Sequence, residues 1–434
     1  MKKALPLTAR TTDAGHLEIG GVDVMDLVER HGTPLFVLDR ATFETRARSY
    51  AKAVPADRVY YAGKALCCVA ICELVDSLGL GLDVCSGGEL HTALAAGFPP
   101  ERIIFHGNNK SEGEIRSAND AGVGRIVVDS FDEIELLARI GVSTKLLVRL
   151  TPGVEAHTHE FVQTGQEDSK FGFGLADGIA LEAVKRTMDV PNCELVGVHA
   201  HIGSQIFELT GFDLAIRRLA GFLDEAKRSL GFEASELNLG GGLGIVYTDD
   251  DVEIDPDDAG ERILTAVERE FGEKGLTAPA VFLEPGRSIV GPAAVTLYRI
   301  GTVKEIAGIR TYVAVDGGMS DNIRPALYGS RYEAFLADRV EAPPGPLITV
   351  AGKHCESGDI LIKDVALPDD VAPGDILCVP ATGAYNYSMA NNYNRIARPP
   401  IVLVDGGSET VIIERETIDD LLKLDRRLDG SRPA

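Results

Sequence analysis

The sequence predicts an α/β protein with two domains: a (β/α)8 TIM barrel and a C-terminal, mostly antiparallel β domain. A chain of 434 residues is too long for one ordinary hydrophobic core. Between about Arg58 and Arg287, short apolar runs alternate with helical patterns. Beyond Arg287, short strand-like runs follow one another between Gly, Pro and Asp turns. We therefore expect the barrel over residues 40–287 and the β domain over residues 1–39 and 288–434.

Eight apolar runs are predicted to form the barrel strands. Each is apolar throughout rather than alternating, as is typical of parallel strands that are buried on both faces. The predicted strands are 59–62, 81–85, 102–106, 125–129, 145–150, 195–201, 236–239 and 281–284. Ser111 with Glu114, and Ser130 with Glu133, have the spacing of a helix capping box. This alternation fits a closed barrel, and an open doubly wound sheet is the alternative.

The β domain is predicted from the runs that follow the barrel. They cover 295–300, 311–315, 347–350, 359–362, 375–379 and 401–404. An early run, 35–38, is one strand more than the barrel needs. We expect it to pair into the β domain, so that the N-terminal segment belongs there in space.

Charge and cysteine content restrict the possible partners. The formal net charge of −23 argues against nucleic acid and anionic membranes. No run approaches the roughly eighteen apolar residues of a membrane span, and the first residues lack the apolar core of a signal peptide. The seven cysteines are an odd number without the spacing of a disulfide framework, which favours a reducing cytoplasm.

Polar residues follow the predicted barrel strands at their C-terminal ends. In a (β/α)8 barrel these ends open onto the face that carries the chemistry. The residues are Lys64, Asp83, His199, His201, Ser204, the glycine-rich stretch 240–244, Glu284, Gly286 and Arg287. We therefore expect them to converge on one pocket, although they are far apart in the sequence.

Lys64 and the glycine-rich stretch point to covalent and phosphate chemistry. A lysine partly desolvated at a strand end can attack a carbonyl group and form a Schiff base, whereas an isolated lysine there more often caps a strand at the surface. Glycines at 240–244 can bring backbone N–H groups against a phosphate, or can form only a tight turn. Their spacing differs from that of the dinucleotide-binding fingerprint.

Three interpretations are open for His199 and His201, which would share one strand face. With His157 and His159 they could bind zinc. One of them could instead lie flat on an aromatic cofactor whose phosphate binds Ser204, or both could be hydrogen-bonded core residues.

Glu284 needs a compensating cation if it is buried. Arg287, a charged ring nitrogen or a metal could provide it, and a plain Glu–Arg ion pair is the structural alternative.

Polar turns of the β domain hold further candidates. Cys355 lies beside Glu356 in a loop, which suggests proton transfer. Arg324 with Tyr328, and Tyr385, lie in similar polar insertions.

Taken together, these motifs resemble the diaminopimelate decarboxylases, pyridoxal-phosphate enzymes with an alanine racemase-like fold (PLP fold type III). The resemblance covers nearly the whole chain, and its motifs occur in the family's order. They are YAGKA (61–65), DVCSGGEL (83–90), HGNNK (106–110), SKFG (169–172), HIGSQ (201–205), GGG (240–242), EPGR (284–287) and CES (355–357).

The resemblance implies a role for each barrel candidate toward pyridoxal 5'-phosphate. Lys64 would hold the cofactor covalently, His201 would stack on its ring, and Glu284 would pair with the pyridinium nitrogen. Asp83 would lie near the ring and Lys64. The remaining cofactor-binding residues, most of them around the phosphate, would be Ser204, Gly241, Gly242, Gly286, Arg287 and Tyr385.

The resemblance also implies a substrate and a dimer. The distal carboxylate of meso-diaminopimelate would bind Arg287, Arg324 and Tyr328, with Tyr385 also at the substrate. Glu356 would take the distal ammonium group. Cys355 would protonate the carbanion after carbon dioxide leaves, which gives L-lysine. The family is a homodimer in which the Cys355 loop completes the partner's pocket. No metal is implied.

Three alternative functions are distinguishable from this one. A decarboxylase of the same fold that acts on ornithine, arginine or carboxynorspermidine is the nearest, and Arg324 with Tyr328 argues against it. A metal-dependent barrel hydrolase would use the histidines and give Lys64 no role. A non-catalytic cofactor carrier would need neither the second domain nor Cys355.

Overall fold

The computed structural model describes residues 2–154 and 169–432. His157 and His159, candidates for a zinc site, lie outside the described residues. The chain forms two compact units. The barrel unit comprises Glu44–Ile245 and Val252–Ile289, and the β unit comprises Met1–Phe43, Val246–Asp251 and Val290–Ala434.

Eight parallel strands form the barrel. They are Tyr60–Ala62, Gly81–Val84, Ile103–Phe105, Arg125–Val128, Lys145–Thr151, Glu194–His199, Glu236–Asn238 and Ala280–Phe282. Consecutive strands pair in parallel. Val59 bridges Leu283 in parallel, and Tyr60 N donates to Leu283 O at 2.8 Å, so the last strand meets the first. The closed barrel is confirmed and the open sheet is excluded.

Helices alternate with these strands. The α-helices of this part of the chain are Arg40–Ala53, Val69–Ser77, Gly87–Ala95, Glu112–Ala121, Phe131–Ile140, Ile179–Met188, Thr210–Leu230, Pro256–Gly272 and Arg287–Val290. Short 3-10 turns lie at Ala56–Arg58, Gly63–Ala65, Pro100–Arg102 and Ala176–Gly178, and Phe173–Gly174 adds a short parallel strand beside Lys145–Thr151. Among the described residues, no helix is both long and apolar enough to cross a membrane.

The two predicted helix caps differ in outcome. Ser111 and Glu114 form the complete capping box. Ser130 accepts from Glu133 N, but the Glu133 carboxylate accepts from Asp129 N and from a lysine ammonium group instead of closing the box. Glu133 is buried, so pairing with a cation stabilises it more than a second capping bond would.

One strand of the barrel carries a bulge. The pairing of Glu194–His199 with Lys145–Thr151 shifts register between Leu195 and Gly197. A Cβ atom at Gly197 would lie 1.8 Å from the carbonyl oxygen of Glu236 on the neighbouring strand. The strand also ends at His199, so the prediction that His201 shares its face is wrong, and His201 lies in the loop that follows.

The β unit is built from two sheets. A small N-terminal sheet contains Arg10–Thr11, Leu17–Ile19 and Val22–Asp23. The larger sheet contains Leu35–Asp39, Ala294–Ile306, Arg310–Val315, Phe335–Leu336, Leu347–Ala351, Ile360–Ala366, Ile376–Pro380, Ile401–Asp405 and Ser408–Ile413. The α-helices of the β unit are Val24–His31, Arg324–Tyr328 and Ile418–Leu422. Short 3-10 turns lie at Gly291–Ala293, Tyr387–Met389 and Tyr393–Arg395.

The pairing in the larger sheet is mostly antiparallel, as predicted. Leu35–Asp39 lies between Ala294–Ile306 and Ile401–Asp405, which confirms that the early strand belongs to this unit. Its pairing with Ile401–Asp405 is parallel, as is that of Arg310–Val315 with Leu347–Ala351. The sheet is therefore mixed.

Candidate active site

The predicted polar residues of the barrel unit do gather at the C-terminal ends of its strands. Lys64 lies in the 3-10 turn after Tyr60–Ala62, and Asp83 lies in the strand Gly81–Val84. His199 ends its strand, and Glu284 follows Ala280–Phe282 by two residues. The contacts below join most of these residues into one network.

Glu284 is the centre of this network. Its Oε1 accepts from His106 Nε2 at 2.8 Å and from Asn238 Nδ2 at 2.7 Å, and its Oε2 accepts from His199 Nε2 at 3.1 Å. Burial alone would raise the pKa of Glu284, but its electrostatic interactions and hydrogen bonds with His106 and His199 outweigh burial and hold this pKa well below its usual value. Glu284 is therefore an ionised carboxylate in a buried site.

His199 is kept neutral by the same burial. Desolvation lowers its pKa to about 4 despite the neighbouring Glu284. Its Nε2 bonds to Glu284, so Nε2 carries the proton, and the buried Nδ1 has no hydrogen-bond partner within the described residues.

Lys64 and Asp83 lie beside this group. Lys64 Nζ is 3.8 Å from Asp83 Oδ2, and His106 Nε2 is 3.8 Å from Asp83 Oδ1. Burial raises the pKa of Asp83, while the side chain of Lys64 remains 42% exposed. Lys64 thus combines access from solvent with a nearby carboxylate, as a lysine that must meet an incoming carbonyl compound requires.

Lys110, by contrast, is fully engaged. Its ammonium group donates to Glu133 Oε1 at 2.6 Å, Gly107 O at 2.7 Å and Val127 O at 2.7 Å. An ammonium group has three donors, so none is left over. This buried ion pair anchors the loop that carries His106.

The glycine run, residues 240–244, packs against the loops that follow the two neighbouring barrel strands. A Cβ atom at Gly241 would lie 2.1 Å from the carbonyl oxygen of Glu284, and one at Gly242 would lie 2.3 Å from that of Gly203. Gly240 and Gly242 also have φ values of 65° and 119°, which disfavour other residues. The run therefore presents bare backbone at the barrel mouth, as contact with a phosphate requires.

His201 belongs to this part of the site. The backbone N–H of Gly241 donates to His201 Nδ1 at 3.3 Å, so this nitrogen is unprotonated. Burial, followed by the nearby cations Lys64 and Arg149, lowers the pKa of His201 well below its usual value. A neutral imidazole is suited to stacking on an aromatic ring.

Ser204 and Arg287 are brought together. Arg287 Nε and Nη2 donate to Ser204 Oγ at 3.1 and 2.9 Å. Gly286, between Glu284 and Arg287 in the chain, packs so closely that a Cβ atom would lie 2.9 Å from Ala62 Cβ and 3.0 Å from Ala62 O. The loop of the last strand is thereby fitted against the loop of the first.

Arg149 and Asn238 were missed from the sequence. Arg149 Nη1 lies 3.5 Å from Asp129 Oδ2, and its guanidinium lies 4.2 Å from the centre of the Phe171 ring. Burial lowers the pKa of Arg149. Arg149 lies inside an apolar run, and Asn238 lies at the end of another. Phe171, which covers the Arg149 guanidinium, belongs to the SKFG motif, and that motif was the one sequence feature connected with Arg149.

In the β unit, Arg324 is almost completely buried between two tyrosines. Its Nη1 donates to Tyr332 Oη, and its guanidinium lies 4.8 Å from the centre of the Tyr247 ring. Its Nε has no hydrogen-bond partner within the described residues. The sequence did not indicate Tyr247 or Tyr332. The predicted neighbour Tyr328 is half-buried on the same helix.

Hydrogen bonds to the side chains of Asp359 and Asn394 fix the backbone of the Cys355 loop. Asp359 is buried, and its carboxylate accepts from His354 N at 2.8 Å and Met319 N at 2.7 Å. Asn394 Oδ1 accepts from Cys355 N at 3.1 Å. The side chains of Cys355 and Glu356 are exposed on this fixed backbone. Tyr385, also in the β unit, has an unusual φ of 60°, which fixes the course of its loop.

The barrel residues fit pyridoxal phosphate. A carboxylate offers about four lone-pair positions, and three donors reach Glu284, two of them at Oε1. One position at Oε2 is left for a further N–H, such as that of a protonated ring nitrogen. The glycine run provides the phosphate contact, and Lys64 is at the same mouth.

A metal interpretation has partial support from the same group. Ligand atoms of His106, His199 and Glu284 lie within 4.8 Å of one another. Each histidine Nε2 is at hydrogen-bond distance from the carboxylate, however, and His201, which the zinc interpretation needs, accepts a backbone N–H through Nδ1. Hydrogen bonds from the two histidines to Glu284 account for this arrangement without a metal.

Comparisons with known proteins agree with the geometry. Residues 40–291 match the family model described as pyridoxal-dependent decarboxylase, pyridoxal binding domain. The chain is 51% identical to the diaminopimelate decarboxylase of Bacillus subtilis, over 96% of this chain and 97% of that protein. The structure of diaminopimelate decarboxylase from M. jannaschii in complex with L-lysine is similar, with a TM-score of 0.90, 34% identity and coverage of 98% and 99% of the two chains. A Vibrio vulnificus lysine/ornithine decarboxylase complexed with putrescine shares the fold, with a TM-score of 0.73, 23% identity and coverage of 88% and 97%.

Proposed function

The chain belongs to the diaminopimelate decarboxylase family of pyridoxal-dependent enzymes, and we propose that it converts meso-2,6-diaminopimelate into L-lysine and carbon dioxide. The observation that carries this proposal is the ionised Glu284, held by three donors at the barrel mouth that also presents Lys64 and the glycine run. Pyridoxal 5'-phosphate is the cofactor, and when bound it supplies an electron sink for the electron pair that the departing carboxylate leaves behind.

The barrel residues would bind and tune this cofactor. Lys64 would hold it covalently, with Asp83 as the nearby carboxylate. Because Glu284 is ionised, it would keep a proton on the ring nitrogen, and this strengthens the ring as an electron acceptor. Neutral His201 would lie on the ring face.

The glycine run would hold the phosphate together with the Ser204–Arg287 pair. Backbone N–H groups and a guanidinium fork both suit phosphate oxygens. By the family resemblance, the backbone at Gly286 and the Tyr385 hydroxyl would be further phosphate contacts.

The β unit would select the substrate. The distal end of meso-diaminopimelate carries a carboxylate and an ammonium group. A guanidinium suits the first, and a carboxylate such as Glu356 suits the second. Arg324, with Arg287, Tyr328 and Tyr385 as further contacts, would bind the distal carboxylate. Ornithine lacks that carboxylate, so buried Arg324 would disfavour it.

Cys355 would donate the proton that replaces the carboxylate. In the single chain Cys355 and Glu356 are exposed, whereas a carbanion needs a proton donor in a site closed to bulk water. We propose that a second copy of the chain covers them, and that each pocket of the homodimer combines one barrel with the partner's Cys355 loop. A cytoplasmic location is proposed from the seven cysteines, all of them free.

Product analysis tests the function directly. The protein, loaded with pyridoxal phosphate, is incubated with meso-diaminopimelate, and the products are separated on a chiral column. We expect L-lysine and an equal amount of carbon dioxide, and no product with Lys64→Ala. Ornithine, arginine and carboxynorspermidine serve as control substrates. Faster turnover of any of these three than of meso-diaminopimelate would refute the proposal.

A further inference from the structure

We propose that Asn238 is a positioning residue that fixes the Glu284 carboxylate relative to the glycine run, so that one side chain sets both ends of the cofactor site. The inference rests on the proposed function, because it takes Glu284 as the partner of the ring nitrogen and the glycine run as the phosphate site. Asn238 is the last residue of its barrel strand and is fully buried.

The orientation of the Asn238 amide follows from its partners. Its side-chain oxygen accepts from the backbone N–H of Gly240 at 2.9 Å. A backbone N–H can only donate, so the amide oxygen must face Gly240 and the NH2 group must face Glu284 Oε1, which it meets at 2.7 Å. Because Glu284 is ionised, this second bond is charge-assisted, and such bonds are the stronger kind.

The backbone repeats the same connection. Glu284 N donates to Gly240 O at 2.7 Å, and the Glu284 carbonyl leaves no room for a Cβ atom at Gly241. Two main-chain bonds thus join the two strand ends, Glu284 N to Gly240 O and Leu239 N to Phe282 O at 3.0 Å, and the Asn238 side chain adds a bond to the carboxylate itself. Without the Asn238 side chain, only main-chain bonds would join the two strand ends among the described residues, and the Glu284 carboxylate would keep its two histidine partners.

Two substitutions separate the two halves of the Asn238 side chain. Asn238→Asp keeps the oxygen that accepts from Gly240 but replaces the NH2 group with an oxygen facing Glu284. Asn238→Leu has a similar size and loses both bonds without adding a charge. A residue that only shapes the glycine turn would tolerate Asp, whereas a residue that positions the carboxylate would not.

The experiment measures equilibrium binding to the cofactor-free protein by dialysis, with two probes. Pyridoxal 5'-phosphate reports on both ends of the site, and pyridoxal, which lacks the phosphate, reports on the ring end alone. Glu284→Gln is the reference for a damaged ring end. Asn119→Asp is the control substitution, because Asn119 also accepts a backbone N–H, from Ser143, on an outer helix of the barrel unit. Circular dichroism verifies folding.

We expect Asn238→Asp and Asn238→Leu each to weaken pyridoxal binding about 10- to 100-fold, the usual effect of losing one hydrogen bond to a charged group. Glu284→Gln should weaken it similarly, and Asn119→Asp should leave it unchanged. Unchanged pyridoxal binding in the Asn238 variants, with only pyridoxal phosphate binding weakened, would overturn the inference. If Asn238→Asp does not fold, the pyridoxal result for Asn238→Leu decides in the same way.

The reference variant separates failure of the inference from failure of its premise. If Glu284→Gln leaves pyridoxal binding unchanged, Glu284 is not the ring partner and the inference falls with that premise. If Glu284→Gln weakens binding and the Asn238 variants do not, the premise stands and the role of Asn238 is rejected.

Discussion

Arg287 directs two of its N–H groups, Nε and Nη2, at a single acceptor, the Oγ of Ser204. Both residues were expected at the ligand, and the structure places them against each other. A guanidinium held at one side keeps its remaining N–H groups in a fixed direction. Ser204 therefore orients Arg287 in addition to any contact of its own.

Ser204→Ala should weaken binding of pyridoxal phosphate by about 10-fold or more, because Arg287 loses a hydrogen-bond acceptor in a partly buried site. Arg287→Lys is the matched variant, since it keeps the charge and loses the planar fork. Equilibrium dialysis measures the affinity of both variants for pyridoxal phosphate. Equal affinity of Ser204→Ala and the unaltered protein would show that Ser204 neither orients Arg287 nor meets the phosphate.

Borohydride reduction of the loaded protein should attach the phosphopyridoxyl group to Lys64. Lys64 is accessible, whereas the three donors of Lys110 are already used. Peptide mapping by mass spectrometry identifies the modified lysine. Modification of Lys110 or of exposed Lys170 would contradict the assignment.

Stability should fall between about pH 6.5 and pH 4 because of His199. Its pKa is about 4 in the folded protein and 6.5 in the unfolded chain, so in this window only the unfolded chain binds the proton. The contribution is present above pH 6.5 and its loss amounts to roughly 3 kcal/mol by pH 4. Urea unfolding of the cofactor-free protein at several pH values measures it. His199→Gln keeps a donor to Glu284 without the titration and should have a flatter profile. Parallel profiles would count against the buried neutral imidazole.

Arg324→Ala should lower kcat/KM for meso-diaminopimelate by roughly 30-fold or more, since removing one partner of a desolvated charge pair costs about 2–5 kcal/mol. Tyr332→Phe removes only the hydroxyl that accepts from Arg324 and should have a smaller effect. Steady-state kinetics on both variants makes the comparison. If Arg324→Ala has unchanged kcat/KM, the distal carboxylate is bound elsewhere.

Lys64→Ala and Cys355→Ala homodimers should each be nearly inactive and should recover activity when mixed. Random exchange makes about half of the dimers heterodimers, each with one intact pocket of two, so recovery should approach about a quarter of normal activity. Native mass spectrometry verifies the exchange. If exchange occurs and activity stays absent, each pocket takes both residues from one chain.

The barrel was predictable because buried parallel strands are continuous apolar runs, and the polar residues after them mark one face. Lys64, Asp83 and Glu284 were found in this way. Asn238 and Arg149 were missed because they lie within the predicted strands 236–239 and 145–150, and no motif in those runs drew attention to them. Their role depends on partners that the barrel brings together from other strands.

The β unit was less predictable for a related reason. Its two-residue strands, such as Arg10–Thr11 and Phe335–Leu336, are too short for any periodicity. Ser408–Ile413 is largely exposed and lacks the apolar run that marked its neighbours. Tyr247, which covers Arg324, is 77 residues away in the sequence and could be located only in space.

The bulge between Leu195 and Gly197 has a consequence for engineering of the pocket. It sets the phase of the last residues of its strand, and a slip of one residue would turn His199 away from Glu284. No side chain fits at Gly197 without a shift of the backbone, because its Cβ atom would meet the carbonyl oxygen of Glu236. A library that reshapes substrate preference should therefore leave Gly197 fixed, because most members altered there would lose the carboxylate network together with the old specificity.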